Sequence, residues 1–353
     1  MTPDPTPHHA SHAVPTSGRG HGPGAQDPAD VCVLVVAFNS GEHLPGLLES
    51  LPDAAADLSL RVIVVDNEST DDTVAVARQF GVTVVESGGN VGYAAGINRG
   101  RPHAEGCRAI LVANPDLRLG PRAIKVLFDE AESTGGVVVP LLRGADGRHR
   151  PSIRREPTVS RQLGEALLGD HWPTRPASLA IMVRDPRAYE VRSEVDWATG
   201  AALMFTAACD ADVGPWAEEY FLYSEEIDFA RRVRGTGRTI TFLPDVWAEH
   251  SEGGSGRSER LFALDTVNRI RYFRAWHGRW HTMAYSAAIL IELLLRFRRP
   301  AYRGALRVAA ESAARISVGV PLPDGRDVVG VAPSAEPEHV GRHVDAEVPR
   351  ASR

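Results

Sequence analysis

Between Val31 and Leu142 the chain alternates short apolar runs with stretches of helical period. The runs "VCVLVVAF", "RVIVVD", "VTVVES", "AILVANPD" and "GVVVPLL" are continuous and β-branched, the pattern of strands buried on both faces of a mostly parallel sheet. Between them, "DDTVAVARQF" and "PRAIKVLFDEAEST" repeat apolar positions at helical spacing. Ser69 and Thr70 are expected to cap the first of these helices, and Pro121 suits the first turn of the second. This half of the chain is therefore α/β.

From about Arg143 to Asp196 the pattern weakens, and "RPSIRREP" and "HWPTRPASL" predict loops and a lid. Strands and one helix return from "VDWATGAALMFTAA" to "TITFLPDVWAEH", after which Gly253 to Ser258 is expected to be mobile and the enzyme-like core to close near residue 258. Beyond lies the basic, aromatic "LDTVNRIRYFRAWHGRW" and an apolar run from Met283 to Leu295, broken by Glu292 and shorter than the ~20 residues of a spanning helix. Two readings of that run stand side by side: a helix at a membrane interface with Arg296, Arg298, Arg299 and Arg303 near lipid phosphates, or a core or dimer-interface helix. Residues 1–30 and 321–353 read as polar, disordered tails, the first without the apolar centre of a signal peptide.

Composition narrows the classes. With 353 residues, 43% hydrophobic and 24% charged, the chain can bury a large core, and its net charge of −6 makes nucleic acid a poor partner. Cys32, Cys107 and Cys209 show no paired spacing, which argues against a disulfide framework or zinc knuckle and fits a reducing cytoplasm.

In open α/β sheets ligands bind beyond the carboxyl ends of the strands. Four such ends carry polar residues: Asn39, then Asp66 with Asn67, then Asn90, then Asn114 with Asp116. That convergence predicts one crevice. "GGNVGYAAG" has no dinucleotide fingerprint and no P-loop occurs, so Gly92 and Gly96 either allow close helix packing or let the backbone approach a diphosphate, with Asn98 as a side-chain donor. If "ANPD" is extended, Asn114 and Asp116 face one side, and a single Asp116 holds Mg²⁺ or Mn²⁺ only if substrate phosphates complete the shell. His250 offers a further ligand. In "FLYSEEIDFARRVRGTG", Glu225, Glu226 and Asp228 suit the start of a helix dipole, or else supply chemistry.

The ordered set "VVAFNS", "VVDNESTDDT", "GGNVGYAAGINRG", "LVANPDLRL", "VDWATGAALMF", "FLYSEEIDFARRVRGTG" and "DVWAEHSEGGS" resembles family 2 of the inverting glycosyltransferases, closest to its rhamnosyltransferase-like branch of bacterial cell-surface polysaccharide synthesis. The likeness covers about Val31 to Ser258. It implies a GT-A fold, with a nucleotide-sugar half at 31–142, an acceptor half at 143–258 and a helical extension at 259–320. Asn39, Asp66, Asn67, Asn90, Gly92, Asn98 and Asn114 would then lie along the donor. Asp116 would bind the metal with His250, and Asn114 stands where the family writes a first acid. Glu226 matches the family's base position, one methylene longer than the usual Asp, with Glu225 beside it as the alternative and Glu225 and Asp228 as supporting acids. Asp196, Trp197 and Gly200 would line the acceptor pocket. The resemblance implies transfer of a sugar, L-rhamnose from dTDP-rhamnose, to a lipid-linked or polysaccharide acceptor, in the cytoplasm at the inner face of the plasma membrane. A UDP-sugar donor on the same fold, and a catalytically silent scaffold, are the alternatives.

Overall fold

The computed structural model describes residues 28–330 apart from 170, 173 and 252–257. Its strands are β1 (Val31–Ala37), β2 (Leu60–Asp66), β3 (Thr83–Glu86), β4 (Ala109–Ala113), β5 (Leu117–Leu119), β6 (Val137–Arg143), β7 (Ile153–Arg154), β8 (Ser193–Glu194), β9 (Trp197–Ala198), β10 (Ala202–Thr206) and β11 (Ile240–His250). One sheet runs β3-β2-β1-β4-β10-β6-β11-β5, with β8 also on β11, and β7 pairs with β9 apart from it. The five runs legible in the sequence become β1, β2, β3, β4 and β6. The block β3-β2-β1-β4 is parallel. β10 enters antiparallel between β4 and β6, and β6 pairs parallel with β11.

The two faces of β1 show why the runs are apolar throughout. Val31, Val33, Val35 and Ala37 pack on the helices Leu44–Ala55 and Ala123–Thr134, whereas Cys32, Leu34 and Val36 pack toward the helix Tyr93–Gly100 and the aromatic group Phe205, Trp216 and Phe229. Gly96 belongs to this packing, because a Cβ there would lie 2.6 Å from Val36 Cγ1. Two helix starts differ from expectation. Asp72 holds the N-cap position of Thr73–Gln79, while Ser69 and Thr70 bond Asn39 instead. The helix after Pro121 begins at Ala123, behind Arg122 in a left-handed conformation.

The expected lid contains a helix, Val159–Leu168, capped by Thr158 Oγ1 accepting from Arg161 N at 3.2 Å. It packs with the helices Glu259–Trp276, Arg279–Leu295 and Pro300–Val318 around Ile270, Phe273, Tyr285, Ile289 and Leu293. Glu292 is used inside this bundle, accepting from Gln162 Nε2 at 2.7 Å and pairing with Arg269 at 3.2 Å. One face of the Met283–Leu295 run is therefore core. Among the described residues no helix is long and apolar enough to cross a membrane.

The core does not close at residue 258. Tyr272 packs with Tyr220 and Ile227, which joins the helix Glu259–Trp276 to the enzyme-like part. Residues 321–330 are likewise not a featureless tail: Asp324 caps the helix Gly325–Val329, and Arg271 bonds the Pro323 carbonyl. Ser258 caps Glu259–Trp276. The rest of the expected mobile segment at Gly253 to Ser258, and the tails at 1–27 and 331–353, lie outside the described residues.

Candidate active site

Parallel pairing brings the carboxyl ends of β1, β2, β3 and β4 to one edge of the sheet, and the side chains there divide into two groups. Asn39 (φ 49°) accepts from Thr70 N at 2.8 Å, and Asn67 donates to Asn90 Oδ1 at 3.1 Å and accepts from Val91 N at 3.0 Å. These amides shape the loops that rim the crevice. Asp66 is different: Oδ2 accepts from Ser69 N at 3.2 Å, but Oδ1 is buried with no partner among the described residues. A buried carboxylate oxygen without a donor is costly, which sets Asp66 apart from the amides around it.

Two donor-side expectations change. Asn98 donates to Trp216 O at 2.9 Å and Glu218 Oε1 at 2.8 Å and accepts from Trp216 N at 2.8 Å, so its amide is consumed in holding that loop. Gly92, at φ 90°, is fixed by a protein neighbour, since any Cβ would strike the carbonyl and ring of Phe221.

"NPD" forms a turn between β4 and β5, yet its two polar side chains still converge. Asp116 Oδ1 lies 3.2 Å from His250 Nε2, and Asn114 Nδ2 lies 3.4 Å from the same nitrogen. β5 pairs with the end of β11, with His250 opposite Leu117, and this register places the histidine there. Burial works against ionisation of Asp116, but the hydrogen bond and charge of His250 outweigh it and hold the carboxyl below its ordinary value. One carboxylate and one imidazole are a fitting partial shell for a divalent cation that also takes substrate oxygens. Among the described residues no third His, Cys, Asp or Glu joins them.

Tyr93 connects this end to the acids. Its hydroxyl donates to Asn114 Oδ1 at 2.9 Å, with the Gly200 carbonyl 3.3 Å away. Burial, and then the charges of Glu225, Glu226 and Asp116, push the phenol far above its ordinary value, so it stays a neutral donor.

Glu225 and Glu226 open the helix Glu225–Gly235 behind an unusual turn. Phe221, Tyr223 and Ser224 all have positive φ (63°, 69° and 75°), each costing on the order of 1–3 kcal/mol. Glu225 is buried, and burial together with the charge of Glu226 raises it well above the carboxylate range. Glu226 is half-buried, and burial, aided by Asp265, lifts it to about 7 despite Arg154. One oxygen of each has no partner among the described residues. Gly200 lies over Glu226, where a Cβ would come within 3.3 Å of the Glu226 Cβ. Asp228 points elsewhere, accepting from Arg232 Nε at 2.8 Å and Trp276 Nε1 at 3.3 Å, a structural role.

Asp196 Oδ2 accepts from Glu156 N at 2.7 Å, and Trp197 Nε1 donates to Arg155 O at 3.0 Å while Arg154 covers its ring at 5.6 Å. Trp197 packs on Tyr220 and Ile227 beside the acids' helix, and the hydrogen-bonding edges of both residues are largely spent on the protein.

Against this geometry the relatives decide the family. A family model for glycosyl transferase family 2 matches residues 32–188. Over 289 residues the chain is 32% identical to N-acetylglucosaminyl-diphospho-decaprenol L-rhamnosyltransferase of Mycobacterium tuberculosis, covering 75% of this chain and 92% of that one. The chain belongs to glycosyltransferase family 2. This family 2 enzyme is also 26% identical over 230 residues to the low-salt glycan biosynthesis hexosyltransferase Agl10 of Haloferax volcanii, covering 63% of this chain and 67% of the relative. Its fold is GT-A: the crystal structure of GalNAc-T7 with UDP, GalNAc and Mn²⁺ superposes with a TM-score of 0.52 at 14% identity, over 85% of this chain and 59% of that one.

The glycosyltransferase site contains residues that sequence reasoning missed. Tyr93 carries a faint signal, an aromatic directly after a glycine loop. Arg154 and Asp265 carry none, since both reach the acids from segments read as lid and extension. Asn268 has one, a short amide on the apolar stripe of Leu264 and Tyr272.

Proposed function

We propose that this glycosyltransferase moves L-rhamnose from dTDP-L-rhamnose to a hydroxyl of a lipid-diphosphate-linked N-acetylglucosamine, with inversion and by a single displacement. The observation that carries the reading is the 32% identity to the mycobacterial rhamnosyltransferase across 92% of that relative's length. The geometry supports the chemistry.

Glu226 acts as the base. It removes the acceptor hydroxyl proton as that oxygen attacks the anomeric carbon and the nucleotide diphosphate departs from the opposite face. A base must be ionised when it works, and Glu226, near 7, satisfies this where Glu225, held well above the carboxylate range, does not. Asp116 and His250 would hold Mg²⁺ or Mn²⁺ against the donor diphosphate, where the ion neutralises the leaving charge. Asp66, with its orphaned oxygen, would take a donor group of the nucleoside, and the Asn39, Asn67 and Asn90 loops would shape its pocket. Gly200 and the β7–β9 residues Trp197 and Asp196 would border the acceptor.

A lipid-linked acceptor requires a membrane surface, and the helix Arg279–Leu295 offers an edge for one. Leu294, Leu295 and Phe297 are exposed beside Leu167, with exposed Arg298, Arg299 and Arg303 following. Arg296 leaves this set, because it is spent on the carbonyls of Glu165 and Ala166 at 3.1 Å. This edge supports a peripheral position on the anionic inner leaflet. Replacing Leu294, Leu295 and Phe297 by Ser should abolish sedimentation with anionic vesicles; retained sedimentation would remove the membrane reading.

Calorimetric titration with dTDP and with UDP, each with and without Mn²⁺, tests the donor. Metal-dependent preference for dTDP is expected, with affinity reduced about 10–100-fold in Asp116→Asn. Preference for UDP would redirect the donor, and binding of neither would refute the proposal.

A further inference from the structure

The turn that delivers the acids is held by a residue from the helix beyond the expected end of the domain. Asn268 is fully buried, and its Nδ2 lies 2.6, 2.9 and 3.0 Å from the carbonyls of Tyr220, Leu222 and Tyr223. A carboxamide has two N–H groups, so three acceptors converging on one nitrogen means one direct and one shared bond, or two direct bonds with a third acceptor in reach. Its orientation is set from the other end, where Oδ1 accepts from Arg271, which also bonds the carbonyls of Glu219 and Pro323. The opposite side of the turn is closed by Tyr93 N donating to Phe221 O at 2.6 Å and by Gly325, whose Cβ position lies 3.0 Å from Tyr220 O.

Carbonyls pointing to one buried spot repel unless a donor occupies it, and the turn's own bonds, Phe221 N to Glu218 O at 3.1 Å and Leu222 N to Tyr220 O at 2.7 Å, do not reach the Leu222 and Tyr223 carbonyls that Asn268 takes. We propose that Asn268 is a positioning residue, clamping the Tyr220–Ser224 turn in the strained conformation that sets Glu226 beneath Gly200, so that the helix Glu259–Trp276 is part of the catalytic apparatus. The inference rests on Glu226 as the base.

The titratable and charged groups facing Glu226 are Glu225 on its own helix, Asp265 on the helix Glu259–Trp276, Arg154 on β7 and the neutral phenol of Tyr93. Releasing the turn would move Glu226 toward water and away from this set. Two variants test it. Asn268→Asp keeps the volume and the Arg271 partner but loses the donors, and Asn268→Leu loses both. In transfer from dTDP-L-rhamnose, each should lower kcat about 100-fold with donor KM within twofold, and the acid limb of the pH profile should move below about 7. Adding Ser224→Gly, which accepts positive φ without strain, should recover about tenfold. A kcat and acid limb equal to those of the parent enzyme would overturn the clamp, and so would a loss of stability with kcat and KM falling together and no recovery by glycine. Hydrogen exchange of the unsubstituted enzyme serves even if neither variant folds. The amides of Glu225 and Glu226 should open together with the helix Glu259–Trp276, and free exchange at the turn under a protected helix would overturn the inference. If Glu226→Gln remains active, the base assignment fails, whereas the exchange result still reports on the clamp.

Discussion

The donor end and the acid end of the crevice are built by opposite means. At the donor end, Asp66, Asn114 and Asp116 follow buried strands whose register fixes them, and the rim loops carry two separate left-handed residues, Asn39 and Glu68. At the acid end, Glu225 and Glu226 follow consecutive backbone irregularities, and a helix from far along the chain holds them in place. A strand end positions a group at little cost because the ladder is already formed. A strained turn costs stability, but it brings two carboxyl groups into a dry place beside Asp265 and keeps them protonated more readily than water would. On the proposed reading the site pairs a rigid electrostatic cradle with a tuned proton acceptor.

The sharpest way to break that contrast is Glu226→Gln. It should lower turnover about 10³-fold while donor affinity stays unchanged, as measured by single-turnover kinetics and calorimetry. Near-normal turnover would transfer the base role elsewhere, first to Glu225.

The next effect is in pH. Because the ionised form works, kcat should rise about tenfold per unit up to about 7 and then level. Stability should run the other way. The folded state keeps this proton up to about 7, while the unfolded chain releases it near 4.5, so the group's contribution is complete below 4.5, declines between the two values and is flat above. Denaturant unfolding of the parent enzyme and Glu226→Gln across that interval should show the variant with the shallower decline. Parallel curves would mean that Glu226 is not tuned by the fold.

The smallest effect separates placement from chemistry at the donor end. Asn98→Ala should cost about 1–3 kcal/mol of stability by leaving the Trp216 main chain unpaired, with kcat and donor KM within twofold. A large rise in donor KM would return Asn98 to the donor site.

The sequence was most legible where burial leaves little choice. β1, β2, β4 and β6 must be apolar on both faces, so the polar residues at their ends stand out, and Asp66, Asp116 and His250 are visible as a set. Legibility failed where a residue has two uses or where contacts are distant. Asn98 looks like a ligand contact because an amide near a glycine loop suits either a diphosphate or a neighbouring loop, and only the fold tells which. Gly92 invites a phosphate and in fact accommodates Phe221. Nothing local at Asn268 announces that it will meet Tyr223, and no periodicity marks Phe221, Tyr223 and Ser224 as left-handed, because aromatic and polar residues there read equally well as a strand end or a helix cap. The same distance hid the role of the helix Glu259–Trp276, whose basic surface drew attention away from its buried side.

The placement of β10 has a consequence for how the chain is made. β4 keeps one edge open until residues 202–206 arrive, and β6 keeps both open, because its neighbours are β10 and the still later β11. During synthesis the parallel block is therefore complete long before its neighbour strand leaves the ribosome, and one edge of β4 and both edges of β6 wait unpaired in the nascent chain. A fragment ending at residue 188, where the family match stops, would keep those edges open for good and should aggregate rather than bind nucleotide as a free-standing half.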